Sequence, residues 1–375
     1  MPALATPIGL VTPPRIEFGV GTAARAGAFA AGRTSVLVIA DAFNAGRVDL
    51  LELPGRVAVF GAVKPEPDTD NLDGALAAAD AARPDLVVGF GGGSAMDLAK
   101  LVAVLHGGEQ GIRDVVGAGR VAGPRRVGLV QVPTTAGTGS EAGIRALVTD
   151  PATRSKLAVE SVHMLADLAV VDPALTFSVP PAVTAATGVD AMAHCVEAFT
   201  NRKAHPLIDL YAAEGFRLVG RHLARAVRDG GDAEARAGLA LASLYGGFCL
   251  GPVNTAAGHA LAYPLGTRWQ VPHGAANALI FPHVLAFNAP AVPEKTAAVV
   301  AALGGPASAD PAAVFETAHG FCAGLGIEMR LSGLGVDRAD LPTMARDAHA
   351  IRRLLDNNPR DLTVEDILAV YEAAF

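Results

Sequence analysis

Leu86-Val87-Val88-Gly89-Phe90-Gly91-Gly92-Gly93-Ser94-Ala95-Met96-Asp97-Leu98-Ala99-Lys100 carries an apolar run through three successive glycines into a helix-forming segment. Such a run marks a strand buried on both faces of a parallel sheet. The glycines let the backbone approach a pyrophosphate, and the helix start supplies free N–H groups. A tight strand-to-helix turn with no ligand asks for similar residues, and is the weaker reading. Further apolar runs lie at 35–41, 57–60 and 127–132, with Ala-rich helical sequence such as 71–82 between them. Strand and helix alternate, which predicts an α/β nucleotide-binding domain. A short strand at 15–18 enters the turn Gly19-Val20-Gly21, and Asp41 lies downstream at a distance that imitates a dinucleotide fingerprint. The loop at 89–100 is the stronger phosphate site, because it follows a clear strand and opens a helix.

A second polar loop, Val132-Pro133-Thr134-Thr135-Ala136-Gly137-Thr138-Gly139-Ser140-Glu141, offers hydroxyls at Thr134, Thr135, Thr138 and Ser140. They suit phosphate or ribose oxygens, and equally suit the needs of a turn. Lys156 is either another cofactor contact or a solvated lysine. The last apolar run ends near 170–176 and Pro180-Pro181 interrupts the chain, so the expected domains are 1–178, α/β, and 179–375, all helical. Segments 206–226, 233–250, 275–287 and 364–374 repeat apolar residues at helical spacing. The Ala- and Pro-rich stretch 289–311 is expected to cover the surface.

The helical half opens with Thr187-Gly188-Val189-Asp190-Ala191-Met192-Ala193-His194-Cys195-Val196-Glu197. Four residues separate Asp190 from His194, placing both on one helical face. His259 and His273 follow in Ala- and Gly-rich settings. One oxygen and three nitrogens suit a divalent metal with an open position. Alone, an Asp and a His at this spacing also make a hydrogen-bonded pair or a cap. The apolar surroundings favour a shared ion, since an unpaired polar group there is costly.

At 375 residues the chain exceeds one usual core, which also points to two domains. Hydrophobic residues make up 51%, yet Gly, Pro or charge breaks every run before membrane-span length. Residues 1–14 lack a basic stretch followed by an apolar core, so no secretory signal is expected and the location is cytoplasmic. A net charge of −7 with scattered basic residues argues against nucleic-acid or anionic-membrane partners. Cys195, Cys249 and Cys322 sit in apolar sequence and fit reduced core thiols.

These motifs resemble the iron-containing (group III) alcohol dehydrogenases over nearly the whole chain. The resemblance rests on Gly91-Gly92-Gly93-Ser94 with Asp97 and Lys100, on Pro133 through Glu141, on Thr187-Gly188-Val189-Asp190 with His194, and on His259, Pro272-His273-Gly274 and Asn358-Pro359-Arg360. It implies Asp190, His194, His259 and His273 as ligands of Fe(II), with Zn(II) as the alternative ion. It implies NAD bound by Asp41, Gly91, Gly92, Gly93, Ser94, Asp97, Thr134, Thr135, Thr138, Ser140 and Lys156. Asp41 matches the acid that accepts from the adenosine 2′-hydroxyl and repels a 2′-phosphate, so NAD is expected over NADP. The implied activity is metal-dependent hydride transfer between NAD(H) and a small alcohol and its aldehyde or ketone, in a homodimer, with the site in the cleft between the domains. Two departures stand out. Glu66 replaces the usual Asn between Pro65 and Pro67, and Tyr263 replaces a histidine thought to relay the proton, leaving a phenol as the catalytic candidate. A maleylacetate reductase-like oxo-acid reductase, a dehydroquinate synthase-like lyase and a non-catalytic metal-binding protein are the rival readings.

Overall fold

The structure, a computed structural model, describes residues 3–153 and 155–375. The α/β part runs through β1 (Ile16–Phe18), α1 (Arg25–Phe29), β2 (Ser35–Ala40), α2 (Ala42–Ala45), β3 (Arg56–Phe60), α3 (Thr69–Ala82), β4 (Leu86–Gly91) and α4 (Gly93–Leu105). It continues through β5 (Gly117–Ala118), β6 (Gly128–Pro133), β7 (Arg145–Asp150), β8 (Ser155–Glu160) and β9 (Leu168–Val171). One sheet has the order β1-β9-β6-β4-β2-β3 with every neighbouring pair parallel. Strands β2, β4, β6 and β9 bury every residue, which is why they read as unbroken apolar runs.

From β2 the chain moves outward to β3, then crosses back to β4 and builds toward β6. The strand order therefore reverses between β2 and β4. At such a reversal a crevice opens beyond the carboxyl ends of the strands, where α/β sheets hold ligands. The pairing of Ala40 with Phe90 sets Asp41 beside Gly91 at that point. A small second sheet pairs β7 antiparallel with β8 and adds β5 in parallel.

The helical part comprises α5 (Pro181–Thr200), α6 (Pro206–Arg228), α7 (Ala233–Leu250), α8 (Ala257–Trp269), α9 (His273–Asn288), α10 (Pro293–Ala302) and α11 (Pro311–Gly324), then α12 (Leu341–His349), α13 (Arg352–Leu355) and α14 (Val364–Ala373). Helix α5 lies at its centre, buried at fourteen positions along its length and packed on α6, α7 and α9. The 289–311 stretch departs from expectation. It contains α10, whose Thr296, Val299 and Val300 are buried at helical spacing, so an Ala-rich run read as surface cover supplies a core stripe.

The chain forms two compact units. One is Val11–Thr135 with Gly139–Phe177, and the other is Ser178–Phe375 with Ala136–Thr138 and the described residues up to Leu10. Ile8 and Leu10 pack against the cluster of Ile208, Ala212 and Val253. The threonine-rich loop thus contributes residues to each unit.

Candidate active site

Helix α5 starts on Pro181, whose missing N–H costs nothing in the first turn. Its buried face then presents Asp190, His194 and Glu197 at spacings of four and three. Asp190 Oδ1 lies 3.6 Å from Nε2 of His259, 3.6 Å from Nε2 of His273 and 3.9 Å from Nε2 of His194. The His194 and His259 rings stack with centroids 4.6 Å apart. Asp190, His194 and His259 are buried, whereas the His273 side chain is 30% exposed and marks the side open to solvent.

The far nitrogens of two rings are held by acceptors. His259 Nδ1 lies 2.7 Å from Glu197 Oε1, and the other Glu197 oxygen accepts from the Ala256 N–H. His194 Nδ1 lies 3.3 Å from the Gly137 carbonyl. Carboxylates and carbonyls only accept, so each Nδ1 carries a proton, and Nε2, the nitrogen that faces Asp190, is the one left to bind an ion in place of a proton. Glu197 fits because residue 258 is glycine, where a Cβ would stand 2.5 Å from Glu197 Oε1.

Burial pushes the Asp190 carboxyl up, but the charges of His194 and His273 and the hydrogen bond with His259 hold it far below the usual carboxylate range. Burial lowers His194 to about 4 despite Asp190. His259 moves the other way, up to about 10, because Glu197 and Asp190 outweigh its burial. Two carboxylates draw positive charge to the His259 ring, and a divalent cation supplies that charge as well as a proton does. Asn277, one turn after His273, completes the cluster. Its Nδ2 lies 2.7 Å from Asp190 Oδ1, 3.2 Å from His259 Nε2 and 3.1 Å from His273 Nε2, while its buried Oδ1 has no hydrogen-bond partner. Three electron-pair donors that converge in apolar surroundings on one amide, which has only two N–H groups to offer and an orphaned oxygen, fit a metal ion. Among the described residues, the one group of three or more such side chains whose ligand atoms all lie within 4.8 Å of one another is Asp190, His259 and His273, and the expected fourth ligand, His194, stands outside it.

Tyr263 follows His259 by one turn of α8. Its ring centroid is 5.9 Å from that of His273, and its hydroxyl accepts from Arg353 Nη2 at 3.3 Å. The sequence reading missed Glu197 and Asn277. Each stands at helical spacing from an assigned ligand, Glu197 seven residues after Asp190 and Asn277 four after His273.

The crevice at β2 and β4 is built differently. No side chain caps the N-terminus of the 13-residue α4, so its first amides remain for a ligand. Gly91 has φ +155°, and a Cβ there would stand 2.8 Å from the Ala95 Cβ and 3.2 Å from Asp41 Oδ2. Asp41 caps α2, accepting from the Phe43 and Asn44 N–H groups at 2.9 and 3.0 Å and from Asn44 Nδ2 at 2.7 Å. The same amide donates to Thr134 Oγ1 at 3.2 Å, and Thr135 lies against Gly92. Gly93 and Ser94 open α4. Asp97 and Ser140 lie further along, with the Ser140 hydroxyl donating to Asp97 Oδ1 at 2.6 Å and accepting from buried Lys100 at 2.7 Å. Lys156 pairs with Glu66, and Thr138 belongs to the helical unit. At the Gly19-Val20-Gly21 turn the Gly21 and Ala23 amides donate to Asp172, both at 3.0 Å, so this fingerprint-like sequence spends its donors on the protein.

Comparison with known proteins agrees with this geometry. The family described as iron-containing alcohol dehydrogenase matches residues 13–173, and the C-terminal region of the Fe-containing alcohol dehydrogenase family matches 184–375. Long-chain-alcohol dehydrogenase 1 of Geobacillus thermodenitrificans is 38% identical over 358 residues, 92% of this chain and 90% of that protein. The crystal structure of a 1,3-propanediol oxidoreductase superposes with a TM-score of 0.93 at 32% identity, covering 99% of this chain and 100% of that one. Sulfoacetaldehyde reductase of Bifidobacterium kashiwanohense, solved in complex with NAD+, superposes with a TM-score of 0.89 at 27% identity over 99% of both chains.

Proposed function

Because the chain belongs to the iron-containing alcohol dehydrogenase family, we propose that it transfers a hydride between NAD(H) and a small alcohol and its aldehyde or ketone. The observation that carries this reading is the gathering of Asp190 Oδ1 with the Nε2 atoms of His259 and His273, with His194 Nε2 3.9 Å from the same oxygen. Asp190, His194, His259 and His273 hold a divalent ion, Fe(II) by family and Zn(II) where intrinsic affinity decides. When bound, the ion supplies a Lewis acid for the substrate oxygen and NAD supplies the hydride acceptor.

The chain's own residues do the rest. The amides of Gly91, Gly92, Gly93 and Ser94 bind the pyrophosphate at the α4 N-terminus. Asp41 accepts from the adenosine 2′-hydroxyl, and Thr134, Thr135 and Thr138 line the cofactor. Asp97 and Ser140 act from behind, tying the second loop to α4, and Lys156 reaches the cofactor only as it leaves Glu66. Glu197 keeps the His259 lone pair aimed at the ion. The Tyr263 hydroxyl passes the proton to or from the substrate oxygen. Reduced, buried Cys195, Cys249 and Cys322 support a cytoplasmic setting, and the exposed Phe18 on edge strand β1 supports a homodimer.

The test is NADH consumption with a panel of aldehydes, ketones and maleylacetate, before and after metal removal. Net, metal-dependent NADH oxidation with simple aldehydes or ketones is expected. Reduction of maleylacetate with no turnover of any aldehyde or simple ketone transfers the assignment to an oxo-acid reductase, and turnover without net redox change transfers it to a lyase.

A further inference from the structure

Arg145, Arg268, Arg352 and Arg353 are four cations that differ in their partners. Arg145 pairs with Glu160 at 2.6 Å, Arg268 with Asp347 at 2.5 Å, and Arg352 with Asp356. Arg353 is exposed, and among the described residues no carboxylate pairs with it. Its guanidinium carbon instead lies 5.5 Å from the centre of the Tyr263 ring, and its Nη2 donates to the Tyr263 hydroxyl at 3.3 Å. Stacking holds the guanidinium in place and leaves its other N–H groups for a planar or tetrahedral anion. From there the path to the metal-binding atoms is short. The Tyr263 ring is 5.9 Å from the His273 ring, and His273 Nε2 is 3.6 Å from Asp190 Oδ1. His273 is also the exposed member of the set, so Arg353 stands on the side from which a substrate arrives. In a chain of net charge −7, an anion approaching this centre gains from a local unpaired cation.

We propose that Arg353 is a specificity determinant, selecting aldehydes with a short tail ending in an anion, carboxylate or sulfonate, over neutral aldehydes of equal length. This rests on the activity proposed above. The stacked Tyr263 fixes the anchor, and with this single ring between the guanidinium and His273 the tail is limited to a few carbons.

The experiment uses metal-loaded enzyme and NADH with two matched pairs, 4-oxobutanoate against butanal and sulfoacetaldehyde against propanal. Wild type is expected to favour the anionic member by about tenfold or more in kcat/KM, in the range of one charge-assisted contact. The pair that shows the larger preference identifies the anion. In Arg353→Met that ratio falls about tenfold, mainly through KM, and Arg353→Lys lies between. Calorimetric titration of 4-hydroxybutanoate into the metal-loaded protein gives a second readout, with weaker binding expected in Arg353→Met at equal metal content. An unchanged ratio in Arg353→Met, or a wild type that prefers neutral aldehydes, overturns the role of Arg353 while the dehydrogenase reading stands. Absence of NADH oxidation with every aldehyde overturns both.

Discussion

The two candidate sites satisfy their polar groups in opposite ways. In the helical unit, one carboxylate and two imidazoles gather their ligand atoms with a third imidazole beside them, and the amide that meets Asp190, His259 and His273 leaves its own oxygen orphaned. In the α/β unit the side chains near the glycine loop are already engaged, Asp41 by α2, Asp97 by Ser140 and the Leu147 amide, and Lys156 by Glu66. What the α4 N-terminus offers there for a ligand is mainly backbone. A side-chain site is fragile to single substitutions and depends on the groups that orient its ligands. A backbone site depends on glycine and on fold topology, and its side chains mostly keep the loop in place.

If that contrast is right, the largest single effect outside the ligands belongs to Glu197. Its two oxygens accept from His259 Nδ1 and from the Ala256 amide, and glutamine offers only one acceptor. Glu197→Gln is expected to weaken metal binding roughly 10- to 100-fold, the usual effect of losing a partner behind a ligand, measured by competition with a chelator. Cofactor affinity in the same protein stays as in wild type. Unaltered metal affinity would show that His259 orients itself.

Asp41 probes the other side of the contrast. Glycine replaces it as an N-cap at a cost of a few tenths of a kcal/mol, so a change in selectivity reports the carboxylate and not the helix. Asp41→Gly is expected to narrow the preference for NAD over NADP severalfold, read from the two dissociation constants. Equal selectivity would reduce Asp41 to the cap seen in the structure.

The smallest effect concerns Glu141 of the α/β unit, whose Oε2 is buried without a partner. Burial raises its carboxyl to about 7, outweighing its own backbone hydrogen bond and Lys100. The folded value stands above the unfolded one, so its contribution to stability is complete below about 4.5 and is lost as pH rises through about 7. Thermal melts of wild type and Glu141→Gln should therefore differ in a pH-dependent way, the variant gaining on wild type from pH 5 to pH 8. A gap independent of pH would contradict the raised carboxyl.

Much of this arrangement is legible in the chain, for identifiable reasons. Strands β2, β4 and β6 are buried on both faces and announce themselves as apolar runs, and Asp190 with His194 is visible because a helix repeats at a known period. The β7–β8 hairpin is not, because β7 alternates buried and half-exposed residues and carries Arg, Thr and Asp. Glu197 and Asn277 have readable spacing, yet their roles depend on contacts between α5, α8 and α9 that no local pattern encodes. Arg353 is the clearest case. Arg352 has an acid four residues on, at Asp356, but that Arg353 stacks on Tyr263 is visible only in three dimensions.

The most direct test of two separable sites is metal content and NAD binding measured together on His273→Ala. Its ring is the most exposed of the ligand set, so its loss leaves the core of the helical unit intact. The expected protein has lost most of its metal and activity and binds NAD as wild type does. Full metal content with normal turnover, or loss of NAD binding along with the metal, would contradict the account.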